Sequence, residues 1–212
     1  MKVLALDTAL GACSAAVVDE GRVLAARAEP MTRGHQERLA PLVAEVMGEA
    51  GLAFAALDRV GVTTGPGSFT GLRVGLAFAR TLALALGRPC VGAGTLQALA
   101  AETQGEALAV ITAPQGRVYA QRFRDGAPAG EPQLGEPDGL DVGGLDLLVG
   151  PGAAALADSA PSARVDPRSW ADPAALARWA AAALKPDGPP APLYLRAPDA
   201  RTLAERGLAP RG

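Results

Sequence analysis

Short apolar runs separated by polar turns open the chain. Residues 3–6 end at Asp7-Thr8, residues 13–18 resume after Gly11, and residues 22–27 follow the turn Asp19-Glu20-Gly21. Runs of this length between turn residues predict an antiparallel meander of three strands, closed by Pro30. The period then changes: Leu39, Leu42, Val43, Val46, Met47 and Ala50 recur at steps of three and four, which predicts a helix from His35 to Gly51 with one apolar face. Pro41 falls within it and lacks a backbone donor, so it belongs either to the first turn or to a kink. Residues 60–64 read as a strand, and a second helix runs from about residue 69 to residue 86, stopped by Gly87 with Arg88-Pro89 beyond.

In that second helix Gly71, Gly75, Ala79 and Ala83 lie four apart. A ridge so low admits a neighbour closer than the usual ~8–10 Å between helix axes. Gly75 in mid-helix costs about 1 kcal/mol against alanine, which close contact would offset, either with this chain's own sheet and helices or with another subunit. On the second choice, Gly75→Leu weakens partner binding more than folding. Residues 90–92 give one more strand, and Thr95 caps a helix to about residue 101, where a first lobe ends. The second half begins with a strand at 107–111, turns near Gln115-Gly116 and returns at 118–123. Residues 131–141, rich in proline, glycine and acid, read as loop. Residues 145–149 are a buried strand and 153–157 a short helix. Asp172-Pro173 starts a helix to Leu184, and a proline-rich connection, 185–192, leads to a last strand at 193–196 and a polar tail. No fixed-period repeat is evident. Strands mixed with helices in this order place the chain in the α/β class.

Between the fourth strand and the second helix lies Gly65-Pro66-Gly67-Ser68-Phe69-Thr70-Gly71-Leu72-Arg73-Val74-Gly75. Glycines permit close backbone approach, Ser68 or Thr70 can cap the helix, and free amides at a helix start favour an anion. The loop is either a phosphate cradle or a tight turn that lets strand and helix pack closely. It is not a Walker A loop, because no Gly-Lys-Ser or Gly-Lys-Thr closes it. Asp7 follows a buried strand, where an acid reaches a metal-bound phosphate in some phosphotransferases, or simply caps its own turn. His35 is the sole histidine, which excludes any metal site built on two imidazoles. Ser68 and His35 lack the spacing of a nucleophile elbow. Arg38, Arg73 and Arg80 lie on or beside the helices and can meet acidic groups.

The 212 residues suffice for one large domain or two small ones, and the net charge of −2 argues against strong nucleic-acid binding by this chain alone. A partner can supply the missing positive surface. Lys2 and Lys185 are the two lysines, a compositional bias from which no function follows. Cys13 and Cys90 are far apart, no N-terminal stretch reads as a signal peptide, and no uninterrupted apolar run reaches the length of a bilayer crossing. A cytoplasmic, reducing location away from any membrane is expected.

Through Leu4-Ala5-Leu6-Asp7-Thr8-Ala9, Cys13-Ser14, the stretch His35-Gln36-Glu37-Arg38-Leu39-Ala40-Pro41 and the eleven-residue loop, the chain resembles the TsaB (YeaZ) family. The likeness is dense over the first hundred residues and returns at Gly116-Arg117-Val118-Tyr119 and Leu193-Tyr194-Leu195-Arg196. It implies two actin-like (ASKHA, ribonuclease H-like) lobes, a mixed sheet with helices in each, residues 1–101 and a smaller 102–212. It also implies a noncatalytic dimerization subunit in forming N6-threonylcarbamoyladenosine in tRNA, at the adenosine beside the anticodon. In that family TsaD carries the metal and transfers threonylcarbamoyl from its adenylate, TsaC makes the adenylate, and TsaE is an ATPase that joins the complex.

Pairing with TsaD as a heterodimer is expected through the two helices of the first lobe, at His35, Arg38, Leu39, Leu42, Val43, Val46, Gly71, Leu72, Gly75, Ala79 and Leu82. TsaD holds its metal with a histidine pair on the first of these helices; position 39 here is Leu39. No catalytic residue, metal or cofactor is therefore expected, with a nucleotide at the joint of the complex left open. Many relatives read Asp-Ala-Arg where this chain has Thr112-Ala113-Pro114. The alternatives are a glycoprotease-like peptidase or an ASKHA ATPase acting alone, and a homodimer through the same helices.

Overall fold

The first three strands form as the apolar runs predict. β1 (Lys2–Asp7), β2 (Ala12–Asp19) and β3 (Arg22–Pro30) make an antiparallel meander, with β3 extended three residues beyond expectation because Pro30 still pairs with Ala12. α1 (His35–Glu49) crosses to β4 (Arg59–Thr63), and α2 (Phe69–Leu86) crosses to β5 (Cys90–Ala93). Both new strands add parallel to β1, giving the order β3-β2-β1-β4-β5. The computed structural model describes residues 1–193 and 195.

After α3 (Thr95–Ala100), the chain builds a second sheet from β6 (Glu106–Thr112), β7 (Val118–Arg124), β8 (Ala127–Pro128), β9 (Gln133–Gly135), β10 (Leu147–Val149) and β11 (Arg164–Asp166), followed by α4 (Pro173–Ala182). Its order is β11-β10-β6-β7-β8, with β9 also on β7. β6 and β7 are antiparallel, and β10 and β11 run parallel to β6. This repeats the first sheet strand for strand. The difference lies in the crossings: where the first half has α1 and α2, the second has only 3-10 turns at Pro137–Gly139 and Ala153–Leu156. The repeat was invisible as a sequence period because its connections differ in length and type.

Alternation along β1 and β2 decides what packs where. Leu4, Leu6, Cys13, Ala15 and Val17 face α1 and α2, against Leu39, Leu42, Val46, Leu76 and Ala79. Val3, Ala5, Ala16 and Val18 face the other way, into a core shared with α3, α4 and one face of the second sheet, where Phe123 is fully buried. The outer face of the second sheet is covered by the turn at 153–156 and its neighbours. α4 belongs late in sequence yet lies on the first sheet, and Arg59 at the foot of β4 pins it there. The Arg59 guanidinium donates to the carbonyls of Ala180 (2.7 Å) and Ala183 (2.5 Å), which have no partner within the last turn of the helix.

Several local expectations are met and others need correction. Ser68 caps α2, accepting from the Gly71 amide at 3.2 Å, and Gly87 ends it in the left-handed region. Asp172 caps α4 ahead of Pro173. Gly94, not Thr95, is the cap of α3, and the buried Thr95 hydroxyl has no hydrogen-bond partner among the described residues. Pro41 sits past the first turn of α1, on its exposed side. The segment 131–141, expected as loop, carries β9 and a 3-10 turn, and β8 and β11 were not expected at all. Two or three residues are too short to show an alternation. The strand expected at 193–196 lies largely outside the described residues, as does the tail; Leu193 donates its amide to the Thr64 carbonyl at 2.7 Å.

Candidate functional site

The glycine loop is filled by its own chain. Ser68 donates its amide to the Ala9 carbonyl (2.7 Å), Leu72 donates to the Ser68 carbonyl, and the Thr8 hydroxyl donates to the Gly71 carbonyl at 2.7 Å. A Cβ on Gly71 would overlap the Thr8 carbonyl oxygen, and one on Gly75 would stand 2.5 Å from the Thr8 hydroxyl. Glycine is required at both positions because α2 starts directly against the β1–β2 turn. The Ser68 and Gly71 amides are already donated within the chain, which supports the tight-turn reading of the loop over the phosphate cradle.

Asp7 lies under the same turn and is fully buried. One carboxylate oxygen accepts from the Ala9 amide at 2.8 Å and from the Thr63 hydroxyl; the other has no partner among the described residues. Asp7 therefore caps its own turn. Burial pushes its carboxyl up, and the bonds from Thr63 and Ala9 oppose that without cancelling it. A carboxyl with a higher pKa folded than unfolded weakens folding as pH rises through the interval between the two values, and leaves a constant penalty above it. Asp7→Asn is thus expected to raise stability at pH 7, with the gain gone near pH ~3, where the carboxyl is protonated in both states. Urea melts at the two pH values check this, and an equal gain at both would refute it.

Nucleophilic chemistry is not assembled among the described residues. Ser68 is the helix cap. His35 is buried, and its Nε2 has no hydrogen-bond partner among those residues. Burial pushes the thiols of Cys13 and Cys90 up to about 11, so both stay protonated near neutrality. No group of three or more His, Cys, Asp or Glu side chains is placed to hold a metal among the described residues.

What remains is the outer side of the two helices of the first lobe. Between α1 and α2 runs an open groove of about 520 Å³, lined by Gln36, Ala40, Val74, Phe78, Leu82 and Ala85 together with Leu39, Ala77 and Thr81. Ala40, Ala77 and Ala85 are exposed; Val74, Phe78 and Leu82 are half-buried, resting on the core beneath. Arg38 closes one side of α1 without facing the groove. It grips Glu29 with two hydrogen bonds (2.5 and 2.6 Å) and Glu45 with two more (2.7 and 2.8 Å). These bonds hold both carboxyls below the usual carboxylate range.

The expected interface residues divide sharply. Leu39 and Leu82 line the groove. His35, Leu42, Val43, Val46, Gly71, Leu72, Gly75 and Ala79 are buried within the chain, and Arg38 is engaged by Glu29 and Glu45. The small-residue ridge was assigned to a partner and is corrected: it lies on β1 and β4, with Leu6 and Val62 beside Gly75. The stripe of small residues, on which the expectation rested, faces the sheet, and the groove lies on the other face of α2. A signal was available, since α2 is apolar on both sides. With 18 residues and a mean hydropathy of 1.4 it is long and apolar enough to cross a bilayer by length and composition, although Arg73 and Arg80 interrupt the apolar run, and a third of it is buried in the chain.

A model of the family described as TsaD, tRNA N6-adenosine threonylcarbamoyltransferase, matches residues 25–136. An uncharacterized protein of Mycobacterium tuberculosis is 38% identical over 95% of this chain and 95% of its own length. The tRNA threonylcarbamoyladenosine biosynthesis protein TsaB of Escherichia coli is 37% identical over 56% of this chain. The chain spans 53% of that protein and 56% of a longer Mycobacterium leprae relative. YeaZ from Pseudomonas aeruginosa superposes with a TM-score of 0.76 at 28% identity, covering 92% of this chain and 99% of that structure.

Proposed function

Because the chain belongs to the TsaB (YeaZ) family, we propose that its work is done on a partner: it binds and activates TsaD through the α1–α2 groove as a noncatalytic subunit. The product in this reading is N6-threonylcarbamoyladenosine in tRNA, beside the anticodon. One observation supports it above the others. The chain leaves an apolar groove open between two helices whose opposite faces are fully used in its own core, and such a face marks an interaction site. The absence of an assembled nucleophile among the described residues gives no support to a peptidase or ATPase acting alone.

In the same reading TsaC supplies the adenylate, TsaE joins the complex, tRNA reaches the chain through the assembly, and all of this takes place in the cytoplasm away from membranes. A second copy of the chain is the competing occupant of the groove, since a two-helix face can meet itself about a two-fold axis. Purified chain and TsaD, mixed at micromolar concentration, are expected to sediment as a one-to-one heterodimer. Separate boundaries for the two proteins would defeat the proposal, and a dimer of this chain that excludes TsaD would assign the groove to self-association.

A further inference from the structure

No aspartate or glutamate occurs between Asp58 and Glu102, while Arg59, Arg73, Arg80 and Arg88 do. Arg59 is turned inward to α4. The other three are exposed on the outside of α2 and just beyond its end. Arg73, its guanidinium 3.9 Å above the Phe69 ring, and Arg80 are seven residues apart, two turns on one side of the helix and about 10.5 Å along its axis. At the far end of α2 a groove of about 700 Å³ opens toward the segment 185–189, lined by Arg80, Leu84, Arg88, Lys185 and Pro189 among others and by no carboxylate. Asp187 lies on the same segment, exposed and outside the lining.

Among the described residues Arg27, Arg38 and Arg178 are matched by acids, Arg27 by Glu45 and Glu49, Arg38 by Glu29 and Glu45, Arg178 by Glu102, whereas Arg22, Arg33, Arg117 and Arg164 stand without an acid partner but line no common groove with one another. Arg80, Arg88 and Lys185 take part in no ion pair among the described residues. The negative end of the helix dipole accounts for one cation at Arg88. It does not account for Arg80 two turns earlier, nor for Lys185 on the opposite wall. Three converging cations without a counter-charge, on a chain of net charge −2, form a local anion-binding surface. Guanidinium groups match phosphate oxygens in pairs, and exposed Arg73 continues the stripe along α2. The surface is continuous with the docking groove, since Ala77 and Thr81 line both.

We propose that this groove receives the phosphate backbone of RNA, beside a partner seated between α1 and α2. The proposal rests on reading the chain as part of a tRNA-modifying complex and assigns the part of this chain that meets the RNA. Each phosphate neutralised releases counterions and adds about 0.7–0.9 to the salt slope of binding.

The test is a tRNA titration of the assembled complex with TsaD across a salt series, wild type against Arg80→Gln/Arg88→Gln/Lys185→Gln. The triple variant is expected to bind about tenfold or more weakly at low salt, with a slope shallower by about 2 to 3. Arg80→Lys/Arg88→Lys should keep most of the slope. Unchanged affinity and slope, in a variant that sediments with TsaD as the wild type does, would overturn the proposal. So would retained tRNA affinity together with lost affinity for polyglutamate, which would give the face to an acidic protein. Repeating the titration on the isolated chain separates the two readings. Failure to assemble with TsaD counts against the proposed function, whereas a salt slope indifferent to the three substitutions counts against this surface.

Discussion

Alanine at Gly71 is expected to destabilise the chain by about 3 kcal/mol or more, enough to leave a marginal protein largely unfolded. The added Cβ would overlap the Thr8 carbonyl oxygen, which is backbone at the end of β1 and cannot rotate away. Relief requires α2 to lift from the sheet. That would break the Thr8 hydroxyl bond to the Gly71 carbonyl and open the contacts of Leu72, Leu76 and Ala79 beneath. Gly75→Leu should act the same way, because its side chain would enter the space held by Thr8, Leu6 and Val62. The expectation that Gly75→Leu harms partner binding more than folding is thereby reversed. Urea denaturation of each variant provides the measurement, and a loss below about 1 kcal/mol at Gly71 would show that the helix has room to move.

Charging the groove should have the opposite profile. Ala40→Glu combined with Ala77→Glu is expected to weaken TsaD binding by about 100-fold or more, near 2.8 kcal/mol, while the thermal midpoint stays within about 2 °C. Both alanines are exposed and line the groove from opposite helices. Two carboxylates there would be desolvated by any apolar partner surface without a counter-charge. Ala154→Glu, on the turn covering the second sheet, is the matched control and should leave binding unchanged. Titration calorimetry decides the matter: equal affinity for the groove variant and the control would remove the α1–α2 face from the interface.

Much of the fold could be read from the chain because local signals agreed with tertiary ones. α1 carries one clear apolar stripe, α2 is bracketed by a serine cap and a terminating glycine, and β1 ends, and β2 begins and ends, at turn residues. The orientation of α2 was not legible. Its period gives no preferred side when Leu72, Leu76 and Ala79 point in and Val74, Phe78 and Leu82 point out. Small residues add to the ambiguity, because glycine serves equally well against a neighbouring subunit or against the helix's own sheet. Thr8 decided between them, and its position depends on a turn sixty residues earlier in sequence. Asp7 was legible only as a pair of readings; the Ala9 amide selects the simpler one.

The two sheets repeat one strand order, yet only the first half carries helices at both of its outer crossings, the second having 3-10 turns in their place. A protein built as two equal halves, each with a helical pair on its outside, would present two sticky ends and link one copy to the next into an open filament. Among the described residues, helices at the outer crossings belong to one half alone. On the proposed function, one partner engaged through that end completes the assembly by this route, and the molecule acts as a terminator.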